Sequence, residues 1–97
     1  MSEELNKKFL EEIEEADWSM LEPHYKHDNL FFISSELELV QVAVMVAQNR
    51  IDVLDFWIKE GLLSRPTEED QKRYDENRFK KLASFLIVQP FVFAKTI

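Results

Sequence analysis

The longest apolar stretch of the chain is Leu37–Ala47, LELVQVAVMVA, in which only Glu38 and Gln41 are polar. Valine occupies every second position from 40 to 46, which is typical of a strand because β-branched residues pack well on a pleated sheet. The stretch is long for a strand, however, and it contains neither glycine nor proline. The spacing of its apolar residues alone therefore does not distinguish a strand from a helix.

The residues that precede this stretch favour a helix. Ser35 is followed three residues later by Glu38, the spacing of a capping box, in which each side chain satisfies a free backbone N–H of the first turn. We therefore predict a helix from Glu36 to Asn49. Because it is apolar on nearly every side, other elements must cover it, and the sequence predicts a buried central helix.

The segment before the central helix predicts two helices and a strand. An amphipathic helix is expected from Ser2 to Ala16, with Ser2 as its N-cap. A second, short helix is expected from Trp18 to Glu22, because Pro23 removes a backbone donor and disfavours the helical conformation before it. The short apolar run Leu30–Ile33 is typical of a strand.

The segment after the central helix predicts a second amphipathic helix, Ile51–Glu60, followed by Gly61 in the left-handed conformation. Leu62–Pro66 is then expected to be a strand, and Thr67 is placed to cap a short polar helix. The strongest strand signal is the C-terminal run Phe85–Ala94, which is apolar on both faces and is interrupted only at Gln89 and Pro90. Helices and strands in this order predict an α+β domain with a small antiparallel sheet.

Composition narrows the function classes. The chain has 97 residues, which predicts a single domain over residues 1–97, and its formal net charge of -7 disfavours binding to nucleic acid or to anionic lipid. It contains no cysteine, which excludes a disulfide framework and a thiol nucleophile. No segment is long and apolar enough to span a membrane and none is typical of a signal peptide, so we expect a cytoplasmic location and no membrane partner.

The stretch Phe31–Thr67 resembles a winged-helix domain: a strand leads into a capped helix, and a turn, a second helix and an EGLL exit follow. The resemblance implies a winged-helix-like fold and a DNA-binding regulator that reads bases with its second helix. That helix carries Asp52 and Asp55, which would face and repel phosphates. DNA binding is therefore the alternative function rather than the first.

Three further stretches carry a closer resemblance: ADWSMLEPH near the start, GLLSRPT in the middle and FLIVQPFVFA at the end. They are similar to a small uncharacterised bacterial family, a domain of unknown function that is number 2288 of that series. The resemblance covers nearly the whole chain. It implies a bacterial source and supplies no activity.

The chain offers little that is typical of a catalytic centre. His24 and His27, flanked by Glu22 and Asp28, are the weak candidates for a metal site, but no third or fourth ligand can be assigned from the sequence. A small metal-dependent enzyme is accordingly a further alternative. We expect no catalytic residue, no bound metal and no cofactor, and hence a protein that is not an enzyme.

An interaction or assembly domain remains as the first prediction. Treated as one strand, the C-terminal run is an apolar edge that needs a cover, which is either a second copy of the chain or an element of the same chain. We predict a non-catalytic, self-associating protein-interaction domain, most simply a homodimer. A different protein is the other possible partner. The expected interface residues, which share one side of that strand, are Phe85, Ile87, Phe91 and Phe93.

Overall fold

The computed structural model describes residues 2–97 and, for Ser2, the backbone alone, so the predicted capping role of Ser2 lies outside the described residues. Five helices and five strands alternate irregularly along the chain. They are α1 (Ser2–Glu12), β1 (Glu14–Asp17), α2 (Trp18–Lys26), β2 (Leu30–Ile33), α3 (Leu39–Ala47), α4 (Ile51–Lys59), β3 (Leu63–Ser64), α5 (Glu68–Asp75), β4 (Lys81–Val88) and β5 (Phe91–Thr96).

The strands form one mixed sheet in the order β1-β4-β5-β2-β3. Strands β2 and β5 are parallel, and the other neighbours are antiparallel. The α+β class predicted from the sequence is confirmed, whereas the small antiparallel sheet is wrong because of the parallel pair. The winged-helix arrangement is not confirmed, since β2 leads into the helix pair but lies beside β5 within a larger sheet.

The two faces of the sheet carry separate hydrophobic clusters. Helices α1, α3 and α4 build the first cluster, in which α3 packs on both β4 and β5. Helix α2 builds the second cluster together with Tyr74 of α5. Strand residues alternate between the clusters, as the two-residue period of a strand requires: Leu86 and Phe93 join the first, Phe85 and Val92 the second.

The central helix lies where it was predicted but begins later. Helix α3 starts at Leu39, because residues 34–37 form a turn in which the N–H of Leu37 donates to the carbonyl of Ser34 at 3.0 Å. The hydroxyl of Ser34 accepts from the N–H of Glu36 at 3.1 Å, so the predicted Ser35 cap is wrong. Val42 and Ala43 are fully buried against the sheet, which confirms the buried central position.

The first helix is shorter than predicted. Helix α1 ends at Glu12, and residues 14–17, assigned in part to that helix from the sequence, form strand β1 beside β4. Crowded carboxylates oppose the negative end of a helix dipole, so extending α1 through Glu14 and Glu15 would be unfavourable. The strand instead places Ala16 against Ala83 in the second cluster.

Helix α2 continues through Pro23 to Lys26, so the predicted stop at Glu22 is wrong. Proline removes one helical hydrogen bond, but Trp18 and Leu21 before it are buried and Tyr25 after it packs on the same cluster. Burial along this face outweighs the local preference, as tertiary packing commonly does.

The later elements agree more closely with the prediction. Helix α4 ends at Lys59, and Gly61 has the left-handed conformation with φ of 73°. Strand β3 covers only two residues of the predicted Leu62–Pro66 strand. Thr67 caps α5 as predicted, its hydroxyl accepting from the N–H of Asp70 at 3.1 Å.

The C-terminal run is a hairpin rather than one long strand. Its turn lies at Gln89 and Pro90, so that Val88 faces Phe91 across the ladder. Strand β1 pairs with the free side of β4, and β2 pairs with the free side of β5. The two hairpin strands, β4 and β5, are therefore the second and third strands of the sheet. The prediction of one long strand is therefore wrong, and of the two covers left open by the sequence the structure shows the one from the same chain, strands β1 and β2.

Candidate binding surface

A groove runs along the outside of the molecule between α1 and α3, with a volume of about 670 Å³. We call it the α1–α3 groove. Its lining residues are Asn6, Lys7 and Leu10 from α1, Val40, Gln41, Val44, Met45 and Gln48 from α3, and Glu38 just before α3.

The groove is apolar because each helix has more apolar positions than the core can cover. In α1, Phe9 is buried and Leu5 packs beside it, while Leu10 lies on the flank with 64% of its surface exposed. In α3, the sheet covers Val42 and Ala43, whereas Val40 and Met45 on the outer side remain half-buried. The apolar residues that the core leaves uncovered on both helices therefore form one shared surface.

The polar residues that line the groove are of mixed charge. Lys7 of α1 contributes a cation and Glu38, just before α3, contributes a carboxylate, whose ion-pair partner is Lys95 at 3.4 Å. The other polar lining residues, Asn6, Gln41 and Gln48, are uncharged. A charge preference for a cationic ligand therefore comes from the net charge of -7 of the whole chain rather than from the groove lining.

A second exposed apolar surface lies on α4. Ile51, Phe56 and Ile58 are exposed there, while Trp57 is buried against the first cluster. The exposed face of α4 also carries Asp52 and Asp55, as the sequence indicated. These residues do not line the α1–α3 groove, so they provide a natural comparison for it.

The four residues predicted to share an interface do not share a face. Phe91 and Phe93 point to the first cluster, whereas Phe85 points to the second, and its strand neighbour Ile87 shares that side with 42% exposure. The hairpin turn reverses the alternation, because residues facing each other across the ladder have numbers of opposite parity. The expectation that these four residues share one side of a single strand is therefore wrong.

The two histidines lie at the end of α2: His24 is half-buried in its last turn, and exposed His27 caps it. The helix places them one turn apart, because α2 continues past its predicted end at Glu22. Among residues 2–97 as described, the structure brings together no group of three or more His, Cys, Asp or Glu side chains suited to a metal.

Surface ion pairs cause the clearest pKa shifts. Arg78 donates to Glu22 at 2.7 Å, and this hydrogen bond lowers the pKa of the Glu22 carboxyl below its ordinary value. Arg50 likewise lowers the pKa of Asp52. A general acid at neutral pH needs a raised carboxyl pKa, so these two carboxylates suit ion pairing rather than proton transfer.

The fold defines an α+β protein with a mixed five-stranded sheet, and comparison places it in a family. The chain belongs to a protein family of unknown function, DUF2288, whose sequence profile matches residues 4–96. It is similar to PA1075 from Pseudomonas aeruginosa, known from an NMR solution structure, with 28% identity and a TM-score of 0.77. That match covers 95% of this chain and 83% of PA1075. No curated protein matches.

Within the described part of the chain, none of the helices has the length and apolar character needed to cross a membrane.

Proposed function

We propose that this protein is a non-catalytic protein-interaction domain, and that the α1–α3 groove binds an amphipathic helix of a basic partner protein. The observation that carries the proposal is the open apolar groove on a chain whose formal net charge is -7. The predicted open strand edge does not support it, because β1 and β2 cover the C-terminal hairpin.

The groove has the dimensions of a short helical segment. Helix residues advance about 1.5 Å each, so the part of α3 from Val40 to Gln48 is about 12 Å long, or roughly two turns of a partner helix. Leu10, Val40 and Met45 offer contacts along this length. Helix-in-groove recognition reads apolar residues spaced three or four apart, which such a floor can receive.

Charge favours a basic partner over a second copy. The net charge of -7 accelerates association with a cationic segment and opposes association between two copies. The exposed apolar helix that a second copy would offer, α4, carries Asp52 and Asp55, which the net negative charge of the protein would repel. The homodimer predicted from the sequence therefore becomes the alternative occupant, and a cytoplasmic location stays a prediction.

The winged-helix regulator and the metal-dependent enzyme stay as weaker alternatives. Helix α4 would be the DNA-contacting helix of a winged-helix regulator. It exposes Phe56 and Ile58 beside its carboxylates, and such a surface does not suit phosphate contacts.

Fluorescence anisotropy with two designed peptides tests the proposal. Both peptides have leucines at helical spacing, and their polar positions are lysine in one and glutamate in the other. We expect the lysine peptide to bind with a Kd on the order of micromolar, because the interface is smaller than a standard one. The glutamate peptide should bind at least about tenfold more weakly because the net charge of -7 of the protein repels it.

Leu10→Lys tests the location of the site, since it places a cation against a basic peptide on the groove wall. We expect it to weaken binding about tenfold. Ile51→Lys is the matched control, because Ile51 is also an exposed aliphatic helix residue, with 58% exposure against 64% for Leu10. Equal effects of the two variants, or equal affinity for both peptides, would contradict the proposal, and a dimer mass in light scattering that Leu10→Lys halves would favour the second copy.

A further inference from the structure

A small cleft on the other side of the sheet concentrates positive charge in an otherwise acidic protein. We call it the α5–β4 cleft; its volume is about 260 Å³. Three cationic side chains line it, Arg73, Lys80 and Lys81, together with the amide of Asn77. No carboxylate lines it among the described residues, although the whole chain has a net charge of -7.

The local fold explains how the cations come together. Helix α5 supplies Arg73, and two successive turns follow it, with the N–H of Asn77 donating to Tyr74 at 3.2 Å and that of Lys80 to Asn77 at 3.0 Å. These turns return the chain to Lys81 at the start of β4. The charges therefore lie on a backbone held by hydrogen bonds rather than on a free loop.

Two of the three cations that line the cleft are in ion pairs, and the third is not. Asp70 is the partner of Arg73 at 2.9 Å, and Glu15 is the partner of Lys81 at 2.8 Å. Lys80 has no ion-pair partner within residues 2–97 as described. The cleft with its partners therefore carries a net charge of one, which a monoanion would neutralise.

An independent observation at the same place is the indole of Trp18. Trp18 lines the cleft, is 0% exposed, and its Nε1 is the only buried side-chain nitrogen or oxygen of the described part that lacks a hydrogen-bond partner. Leaving such a donor unpaired costs about 1–3 kcal/mol, so an acceptor there would be favourable. The ring of Tyr74, 5.2 Å from that of Trp18 between centroids, borders the cleft above it.

We propose that the α5–β4 cleft binds a small oxyanion of single charge, a carboxylate or a phosphate diester, which pairs with Lys80 and accepts a hydrogen bond from Trp18 Nε1. Access to Nε1 requires the half-buried ring of Tyr74 to turn aside. Arg73 and Lys81 keep their carboxylate partners, so Lys80 supplies the net positive charge of the cleft. This site lies on the sheet face opposite the α1–α3 groove and is independent of the function proposed for that groove.

The indole N–H resonances in a ¹⁵N-resolved NMR spectrum test this inference on the full chain, because the protein has only two tryptophans. Trp57→Phe assigns the two signals. Acetate and dimethyl phosphate, which both carry a single charge, are titrated at constant ionic strength, with chloride as the reference. We expect a saturable downfield shift of the Trp18 signal, as for a donor that gains a charged acceptor; the stronger anion identifies carboxylate or phosphate as the source.

Two charge variants locate the site. Lys80→Ala should weaken the titration about tenfold, since it removes the charged partner. Lys72→Ala removes the same charge from α5 at a position that does not line the cleft, and it should leave the titration unchanged. An unmoved Trp18 signal, or equal loss in both variants, would overturn the inference; in that case the indole N–H faces the ring of Tyr74 or Tyr25 instead.

Discussion

Truncation of Leu86 to alanine should destabilise the protein strongly, because Leu86 lies in a central strand under α3. Its side chain is 1% exposed and belongs to the first cluster. The change removes three carbon groups at about 0.8 kcal/mol each, or about 2.4 kcal/mol, and leaves a cavity that raises the loss to roughly 3–5 kcal/mol. For a domain of this size the lower figure corresponds to a Tm about 12–24 °C lower.

Ile87→Ala is the matched control, one residue further along the same strand. Ile87 points to the opposite face and is 42% exposed, so we expect a loss of about 1 kcal/mol or less. Urea denaturation followed by circular dichroism measures both variants, with an unchanged m-value as the sign of two-state unfolding. Equal losses, or a larger loss for Ile87→Ala, would refute the alternation assigned to β4 and with it the covered hairpin.

Three further predictions concern charge and metal. Glu22→Gln should destabilise the protein at pH 7, because the folded-state pKa of Glu22 lies below its ordinary 4.5. The stabilisation by the ionised carboxylate is present above pH 4.5 and is lost as pH falls through the lowered pKa. Denaturation at acidic pH should therefore show a smaller difference in stability between variant and wild type. Duplex DNA should give no band shift at about 0.15 M salt, and sequence-selective binding at nanomolar protein would revive the regulator. Elemental analysis after metal-free purification should find no stoichiometric metal, whereas a metal lost on His27→Ala would show that His24 and His27 form a site.

The sequence predicted the elements whose signals are local. Thr67 caps α5 because its hydroxyl reaches a backbone N–H only three residues away. The buried position of α3 followed from its composition, since a helix apolar on nearly all sides needs several covers. The late start of α3 was harder to predict, because the sequence offers Ser35 as a cap, whereas Ser34 accepts a hydrogen bond within a turn and the helix begins only after Glu38.

Errors arose where a distant partner decides the structure. Glu14–Asp17 has helical spacing, but pairing with β4 makes it a strand. Helix α2 passes Pro23 because Trp18, Leu21 and Tyr25 pack on one cluster. A turn at Pro90 could have been considered from the residue type alone, and it would have separated Phe85 from Phe93 at once.

Neither of the two proposed binding surfaces was identified from the sequence. The α1–α3 groove depends on the packing of two helices that are distant in the chain. The α5–β4 cleft combines α5, its following turns and Trp18, which is more than fifty residues earlier. Its one local signal is the run of cations from Lys72 to Lys81, which by itself is typical of a solvated surface.

An NMR titration of the isotope-labelled protein with the lysine peptide tests the proposed function most directly. We expect amide shifts to be concentrated at residues 5–10 of α1 and residues 38–48 around α3, with α2 and α5 on the opposite face unchanged. Shifts centred on α4 or on the α2–α5 face, or no saturable shifts at all, would contradict the claim that the α1–α3 groove is the protein-binding site.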